Sequence, residues 1–106
     1  MMSRLPESKP EVSGALDRSA AEGLARTLRI VADPTRLQIL SIILSSAEER
    51  ATVSQLADVL GLRQPTVTHH ARILLDDGFL SRVQDGKLGW LSVEPARRNA
   101  IEDLLR

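Results

Sequence analysis

A short run of polar side chains, from Arg63 to Arg72, holds the groups of this sequence that are best suited to chemistry. Within ten residues it brings together two guanidinium groups, one amide, two hydroxyls and two imidazoles. These groups donate and accept hydrogen bonds in geometries that match base edges and phosphates. No acidic residue lies between Arg63 and Leu75. The run therefore predicts recognition of a polyanion, with nucleic acid as the matching partner.

The same run lacks the pattern of an enzyme active site. The chain has no cysteine, no glycine-rich phosphate loop and no serine–histidine pairing of recognisable spacing. His69 and His70 are neighbours, so on a helix their side chains diverge by about 100 degrees and cannot bind one metal ion together. We therefore expect no catalytic residue, no metal and no cofactor.

The polar run lies on a predicted helix whose other side is apolar. Residues at three- and four-residue spacing form the inward face, namely Val67, His70, Ala71, Leu74 and Leu75. The outward face then carries Thr68, His69 and Arg72. Pro65 marks the first turn of the helix. We expect His70 to be partly buried and His69 to be exposed.

A second helix precedes this one closely. Thr52 and Gln55 have the spacing of a capping box, and Gly61 is placed to end the helix. Only two residues remain before the next helix begins, so the two helices must cross at a steep angle. The segment from Thr52 to Leu80 therefore predicts a helix-turn-helix, with its second helix placed to enter a DNA groove.

A β-hairpin is predicted after the helix-turn-helix. Beyond Gly78 the apolar period drops towards two on either side of Asp85-Gly86, and Asp-Gly is a strong signal for a hairpin turn. A hairpin in this position forms a wing. The side chains near its tip that are long enough to reach DNA are Arg82, Gln84 and Lys87.

Two supporting helices are predicted before the helix-turn-helix. The first is capped either by Asp17 or by a capping box of Ser19 and Glu22. Pro34 ends the first helix and opens the second, which is apolar on most sides and belongs in the middle of the core. A polar connection follows from Ala47 to Ala51.

A last helix is predicted from about Pro95 to Arg106. It is too short to be stable alone, so its apolar stripe must pack against another surface. The apolar stripe of the first helix is the matching element, and together they predict a symmetric homodimer interface. The residues assigned to that interface are Leu24, Leu28, Val31, Ala100, Ile101, Leu104 and Leu105.

Length and composition indicate one small, mainly α domain of about five helices and a two-stranded wing. The chain has 106 residues, 42% of them apolar, with Phe79 and Trp90 as the only aromatic side chains. Aliphatic helix packing must therefore make most of the core. Residues 1–14 hold two prolines and no periodic apolar pattern, which predicts a flexible arm before a domain of residues 15–106.

Charge and cysteine content indicate the setting in which the chain acts. It has no cysteine, no secretory signal pattern and no apolar run that could span a membrane. These features favour a soluble, cytoplasmic protein with no membrane partner. The formal net charge is zero, so any binding of DNA must come from where the basic side chains lie.

Four blocks of sequence occur in a specific order and spacing. They are ADPTRLQIL at residues 32–40, VSQLADVLGL at 53–62, QPTVTHH at 64–70, and DGFL at 77–80 leading into Asp85-Gly86-Lys87. Together they resemble the ArsR/SmtB family of bacterial winged-helix repressors over about Leu24 to Val93. The resemblance implies a homodimeric winged helix-turn-helix that represses transcription by binding an imperfect inverted repeat in double-stranded DNA.

The resemblance also implies roles for individual residues. Gln64, Thr68 and His69 match the family positions that read the major groove. Arg63 stands where the family often has a small capping residue, and we hypothesise that it contacts a DNA phosphate. The full set expected to bind DNA is Arg63, Gln64, Thr66, Thr68, His69, Arg72, Arg82, Gln84 and Lys87.

The chain departs from the family at its usual metal sites. Thr52 and Ser54 stand where metal-sensing relatives carry cysteines, and hydroxyls are poor ligands for soft metals. The predicted last helix contains no histidine, which the other common site requires. We therefore expect no metal sensing through these sites and leave open an unidentified small-molecule or protein inducer. The alternative to a DNA-binding repressor is a winged-helix protein-interaction module that does not bind DNA.

Overall fold

The computed structural model describes residues 8–106 of the chain. Residues 1–7 lie outside the described part, so the predicted arm can be followed only over residues 8–14, which are exposed and form neither helix nor strand. Five α-helices, one short 3-10 turn and three strands make up the described residues. They are α1 (Arg18–Val31), α2 (Pro34–Ser45), the 3-10 turn (Ala47–Glu49), β1 (Arg50–Ala51), α3 (Val53–Leu60), α4 (Gln64–Asp76), β2 (Leu80–Asp85), β3 (Leu88–Val93) and α5 (Pro95–Leu105).

Side-chain caps fix where the first two helices begin. A carboxylate oxygen of Asp17 accepts a hydrogen bond from the backbone N–H of Ala20 at 2.8 Å, so Asp17 is the cap and the Ser19 alternative is not used. Asp33 begins α2 in the same way, accepting from the N–H of Arg36 at 3.0 Å. Each cap satisfies one backbone donor that the helix itself leaves unpaired.

The helix-turn-helix forms as the sequence predicts. The hydroxyl of Thr52 accepts from the N–H of Gln55 at 3.1 Å, and the Gln55 side chain accepts from the N–H of Thr52 at 3.0 Å, which is a complete capping box. Gly61 ends α3 in the left-handed region, with φ of 68°. Because glycine has no Cβ, it adopts this conformation at low cost and turns the chain towards α4.

The sheet is larger than the predicted hairpin. β2 and β3 pair in antiparallel fashion around the Asp85-Gly86 turn, and β1 adds a third strand on the other side of β3. In that added pairing Arg50 lies opposite Ser92, and Ala51 lies opposite Leu91. The prediction of a plain polar connection at 47–51 was therefore wrong. A strand of two residues is too short to show alternation in the sequence, so periodicity could not reveal it.

α2 forms the centre of the molecule. Its Ile39, Leu40 and Ile43 are fully buried, as its uniformly apolar sequence predicts. Val31 and Ile101 are also buried, at 5% and 2% exposure. Both side chains pack against the protomer core and also line a groove between α1 and α5, so their assignment to a dimer interface stays a prediction. The other buried apolar residues are Ala51, Leu56, Ala57, Val67, Ala71, Leu74, Phe79, Leu80, Leu91 and Val93.

Candidate nucleic-acid interface

The outer face of α4 is open to solvent. Arg63, Gln64 and Thr66 at its N-terminal end are exposed, and so is His69. The opposite side of the helix is buried in the core and carries Val67, Ala71 and Leu74. The periodicity of the sequence therefore predicted correctly which side of α4 faces outwards. An exposed first turn is the part of a recognition helix that reaches base edges.

Arg63 occupies the cap position of α4 without acting as a cap. Its backbone is extended, with φ of −73° and ψ of 146°, and its side chain makes no capping hydrogen bond. Its carbonyl oxygen accepts from the backbone N–H groups of Thr66 and Val67 at 3.1 and 3.2 Å. The guanidinium is exposed and forms no ion pair with another side chain of residues 8–106. It is therefore available to bind an anion in front of the helix.

His70 is held on the inner side of α4. Its Nδ1 lies 3.1 Å from Nη1 of Arg36, and the imidazole is half-buried. Since a guanidinium only donates hydrogen bonds, Nδ1 must accept, which places the ring proton on Nε2. Arg36 also donates through Nε to the carbonyl oxygen of Ile30 at 2.5 Å. His70 thus links α4 to the junction of α1 and α2, as expected for a partly buried structural histidine.

A groove of about 320 Å³ runs between α4 and the wing. Its charged lining consists of Arg72 from α4 with Arg82 and Lys87 from the wing, and none of its lining residues is acidic. Ser54, in the first turn of α3, adds a hydroxyl that sequence reasoning did not assign to the site. Its exposed polar position next to a helix N-terminus was the available signal. Three cations without a carboxylate give this groove the charge that favours an anion such as a phosphate.

A second, more open groove follows the outer face of α4. It is lined by Gln64, Pro65, Thr68, His69 and Arg72, again without an acidic residue. Thr68 and Arg72 line both grooves, so the two form one continuous surface. We call this surface the α4–wing face. Of the residues predicted to bind DNA, this surface includes Gln64, Thr68, His69, Arg72, Arg82 and Lys87, whereas Arg63, Thr66 and Gln84 line neither groove. The sequence did not predict that α4 and the wing meet along a shared edge.

Acidic side chains are engaged elsewhere. Arg98 pairs with Glu49 and with Glu102, and its hydrogen bond to Glu49 raises the pKa of the guanidinium. Glu48 pairs with Arg50 at 3.0 Å, and Asp103 pairs with Arg106 at 3.8 Å. None of these four carboxylates lines the α4–wing face. A chain of zero net charge thus presents a locally cationic surface.

The residues at the family's metal positions do not fit a metal ion. The hydroxyl of Thr52 already accepts a hydrogen bond as the cap of α3, and neutral hydroxyls bind soft metals poorly. On α5, Glu102 is paired with Arg98. No three His, Cys, Asp or Glu side chains of residues 8–106 cluster closely enough to hold a metal together.

α1 and α5 expose an apolar groove of about 570 Å³ on another side of the protomer. Leu24 and Leu28 are each 47% exposed and Leu104 is 57% exposed, and all three line the groove together with Ala100. Leu105 instead packs against the core as a partly buried residue. The exposed members of the predicted interface therefore lie along one groove, ready to be covered by another surface. No helix of residues 8–106 is long and apolar enough to cross a membrane.

Comparison with known proteins identifies this arrangement. Residues 33–82, which run from the start of α2 into the wing, match the bacterial regulatory proteins of the arsR family. Over this segment, just under half of its length, the chain is similar to the arsR family. The ArsR resemblance read from the four sequence blocks is confirmed.

Two curated relatives are also similar to the chain. The chain is 43% identical over 63 residues to a "Probable mercury resistance operon repressor" of Streptomyces lividans, an alignment that covers 59% of this chain and 48% of the relative. It is 34% identical over 74 residues to the HTH-type transcriptional regulator NmtR of Mycobacterium tuberculosis, covering 70% and 59%. The chain thus spans about half the length of these curated relatives.

Solved structures share the fold. A homodimeric winged helix-turn-helix DNA-binding domain from Mycobacterium bovis superimposes with a TM-score of 0.67 at 22% identity, covering 89% of this chain and 83% of that one. The predicted winged helix-turn-helix architecture is therefore confirmed for this chain.

Proposed function

We propose that this protein is a regulator of the arsR type, a sequence-specific DNA-binding protein that represses transcription by binding an inverted-repeat operator as a homodimer. The observation that carries the proposal is the α4–wing face, a continuous surface of basic and hydrogen-bonding side chains without a carboxylate. Basic side chains bind phosphates and position a protein on DNA, while amide, hydroxyl and imidazole groups discriminate bases. Both kinds of group lie side by side on this one face.

The first turns of α4 supply the reading side chains. Gln64 is exposed at the N-terminal end, where an amide can form two hydrogen bonds to the edge of adenine. Thr68 and His69 follow on the same outer groove. Arg63 and Arg72 flank them as phosphate contacts, and Arg82, Gln84 and Lys87 extend the contact through the wing.

The α1–α5 groove supplies the dimer contact in this proposal. Leu24, Leu28 and Leu104 are large apolar side chains that are about half exposed in the protomer. A two-fold axis through this groove brings the same side chains of both copies together and removes them from water. The solved relative from Mycobacterium bovis is itself a homodimer, which supports this assignment. Two α4 helices related by a two-fold axis match an operator whose half-sites are inverted.

The signal that releases the protein from DNA is not a soft metal bound at the family's usual positions, since Thr52 and Ser54 replace thiolates there. We propose an unidentified small organic molecule or a partner protein as the inducer. Under this proposal, zinc and arsenite at micromolar concentration leave operator affinity unchanged.

Fluorescence anisotropy with DNA from the promoter region next to the protein's own gene tests the proposal. Binding should be sequence-selective against a scrambled duplex of equal length, and it should weaken steeply between 50 and 200 mM salt, by about 10³-fold for six phosphate contacts. Gln64→Ala should reduce selectivity more than total affinity. A winged-helix protein-interaction module would instead show no selective, salt-sensitive binding.

A further inference from the structure

We propose that Gly89 is a positioning residue of the α4–wing face: the missing side chain at this position lets the guanidinium of Arg82 lie flat across β3, where it is ready to bind a phosphate. This inference rests on the proposed function, because it concerns how Arg82 meets DNA. It assigns a role to a residue that carries no functional group of its own.

The space around Gly89 is filled by Arg82. A Cβ atom at Gly89 would lie 2.7 Å from both Nε and Nη2 of Arg82 and 3.0 Å from Cζ. Atoms do not approach this closely, so any side chain at this position would displace the guanidinium. At the other five glycines a Cβ would meet nothing within 4 Å, which makes Gly89 the exception.

The backbone does not explain the glycine. Gly89 lies within β3 and, unlike Gly86 in the turn with φ of 60°, does not have a positive φ. Glycine inside a strand weakens it, because it gains no packing and loses more conformational freedom than other residues. Alanine would therefore suit the strand at least as well. What glycine provides here is room for the neighbouring arginine.

Hydrogen bonds hold Arg82 in this position. Its Nη2 donates to Oε1 of Gln84 at 3.1 Å, and Nε2 of Gln84 donates to the carbonyl oxygen of Gly86 at 3.0 Å. Gln84 lies directly opposite Gly89 in the sheet, and the side chain of Arg82 reaches the same strand on the diagonal. These hydrogen bonds thus run from the turn along β2 to Arg82, whose guanidinium lies next to Gly89 of β3.

The fixed guanidinium lies on the groove that Arg72 and Lys87 also line. Three like charges on one groove repel each other, so without a restraint the long side chain of Arg82 would move away into solvent. Ordering such a side chain on binding reduces affinity, and a side chain that is already ordered avoids that cost. Gly89 therefore raises operator affinity through Arg82.

The test is Gly89→Ala measured in two backgrounds by fluorescence anisotropy on the operator. In the parent protein the substitution should weaken binding by about 3- to 10-fold for each protomer, the effect of ordering one long side chain, and therefore by about 10- to 100-fold for the dimer on its operator. In an Arg82→Ala background it should change affinity by less than about 1.5-fold, since no guanidinium remains to be displaced. Val83→Ala, an exposed wing residue 60% open to solvent, serves as the control and should bind like the parent.

Two further readouts separate this role from a structural one. The melting temperature of Gly89→Ala should equal or exceed that of the parent, so weaker binding cannot come from a damaged fold. NMR of the free parent protein should show cross-relaxation between the Arg82 side chain and the Gly89 α-protons. Parent-like operator affinity in Gly89→Ala would overturn the proposal, and so would an equal loss in both backgrounds.

Failure of the parent protein to bind any promoter DNA selectively would count against the proposed function instead. The NMR contact between Arg82 and Gly89 would then decide the inference alone. If the contact were absent, the packing of Arg82 against Gly89 would be overturned. If it were present in a protein that does not bind DNA, the proposed role of Gly89 in DNA binding would be overturned.

Discussion

At the scale of single residues, Arg63 stands at the N-cap position of α4 but does not form the stabilising side-chain hydrogen bond of a cap. Asp17, Asp33 and Thr52 each cap a helix with a side-chain oxygen, whereas α4 and α5 begin without such a bond, α4 at Arg63 and α5 at Glu94. A good N-cap contributes about 1 kcal/mol to stability. An exposed guanidinium in front of a recognition helix is therefore better explained by a phosphate contact than by folding.

This explanation predicts opposite changes in stability and in DNA affinity for Arg63→Ser. Serine fits the extended backbone of Arg63 and restores the missing cap, so the free energy of unfolding should rise by about 1 kcal/mol. Operator affinity should fall, and the slope of log K against log salt should become shallower by nearly one unit for each protomer. Urea denaturation and anisotropy at four salt concentrations measure the two effects.

Arg18→Ala is the matched control for Arg63→Ser. The Arg18 side chain is 90% exposed on α1 and lines neither groove of the α4–wing face, so its loss should leave the salt slope unchanged. An unchanged slope in Arg63→Ser as well would rule out the phosphate contact.

At the scale of elements, local sequence signals predict where the helices begin and end. They do not predict which surface each helix face packs against. Pro34 and Gly61 mark helix ends through backbone restrictions that act at single positions, so the sequence shows them directly. An apolar stripe shows only that residues leave water, not which surface covers them. Val31 and Ile101 therefore looked like their neighbours Leu28 and Leu104, although the first two pack in the core and the others remain exposed.

Most charged and polar members of the candidate site were predictable, but Ser54 and the geometry of the site were not. The period of α4 and the Asp-Gly turn placed Arg72 and Lys87 on outward faces without any knowledge of the fold. Their convergence on one groove depends on long-range packing of the wing against the helix-turn-helix, which no local pattern encodes. The crossing of Arg82 over Gly89 depends in turn on strand register.

The cap of α2 gives a pH-dependent prediction for this element. The hydrogen bond from the N–H of Arg36, together with the positive charge of its guanidinium, lowers the pKa of Asp33 below its ordinary 3.8. A depressed carboxyl pKa means that the stabilisation is fully present above the ordinary value and is lost as the pH falls through the lowered value. Asp33→Ala should therefore lower the free energy of unfolding by about 1 kcal/mol at pH 7. The difference in the free energy of unfolding between Asp33→Ala and the parent protein should narrow below pH 3.8.

Thr52→Ala provides the comparison for this pH series. It removes the cap of α3, whose hydroxyl does not titrate in this range, so its effect on the free energy of unfolding should stay level with pH. Urea denaturation of both variants between pH 7 and pH 3 tests the expectation. A constant deficit for Asp33→Ala over that range would show that the ionised carboxylate adds nothing to the cap.

At the scale of the whole molecule, the two-fold symmetry of the proposed dimer must compensate for the lack of net positive charge. The net charge is zero, so the long-range attraction that basic DNA-binding domains use is weak here. A single α4–wing face with few cations would bind DNA with modest affinity. Two such faces joined rigidly about a two-fold axis bind two half-sites as one unit, so the second contact becomes effectively intramolecular. Tight operator binding should therefore depend on the dimer more than it would in a strongly basic protein.

Leu28→Asp should separate dimerisation from folding. The side chain is 47% exposed in the protomer, so an acid there leaves the core intact, whereas burying two such acids across a two-fold axis is strongly unfavourable. Leu28 is already about half-buried in the protomer, so each copy loses about half of the 1.5–3 kcal/mol that full burial of a leucine contributes. The two losses together raise the dimer dissociation constant by about 10- to 100-fold, and the buried acids raise it further. Sedimentation equilibrium should show a monomer with a parent-like circular dichroism spectrum.

Operator binding then shows whether the dimer is the DNA-binding unit. For Leu28→Asp, affinity for the full inverted repeat should fall towards the affinity for a half-site, because the two faces are no longer joined. Val59→Asp makes the same change at a position that is 67% exposed and lines neither the α1–α5 groove nor the α4–wing face, and it should remain dimeric. A Leu28→Asp protein that stays dimeric would place the interface elsewhere. A monomer that binds the full operator as tightly as the parent would show that one protomer is sufficient.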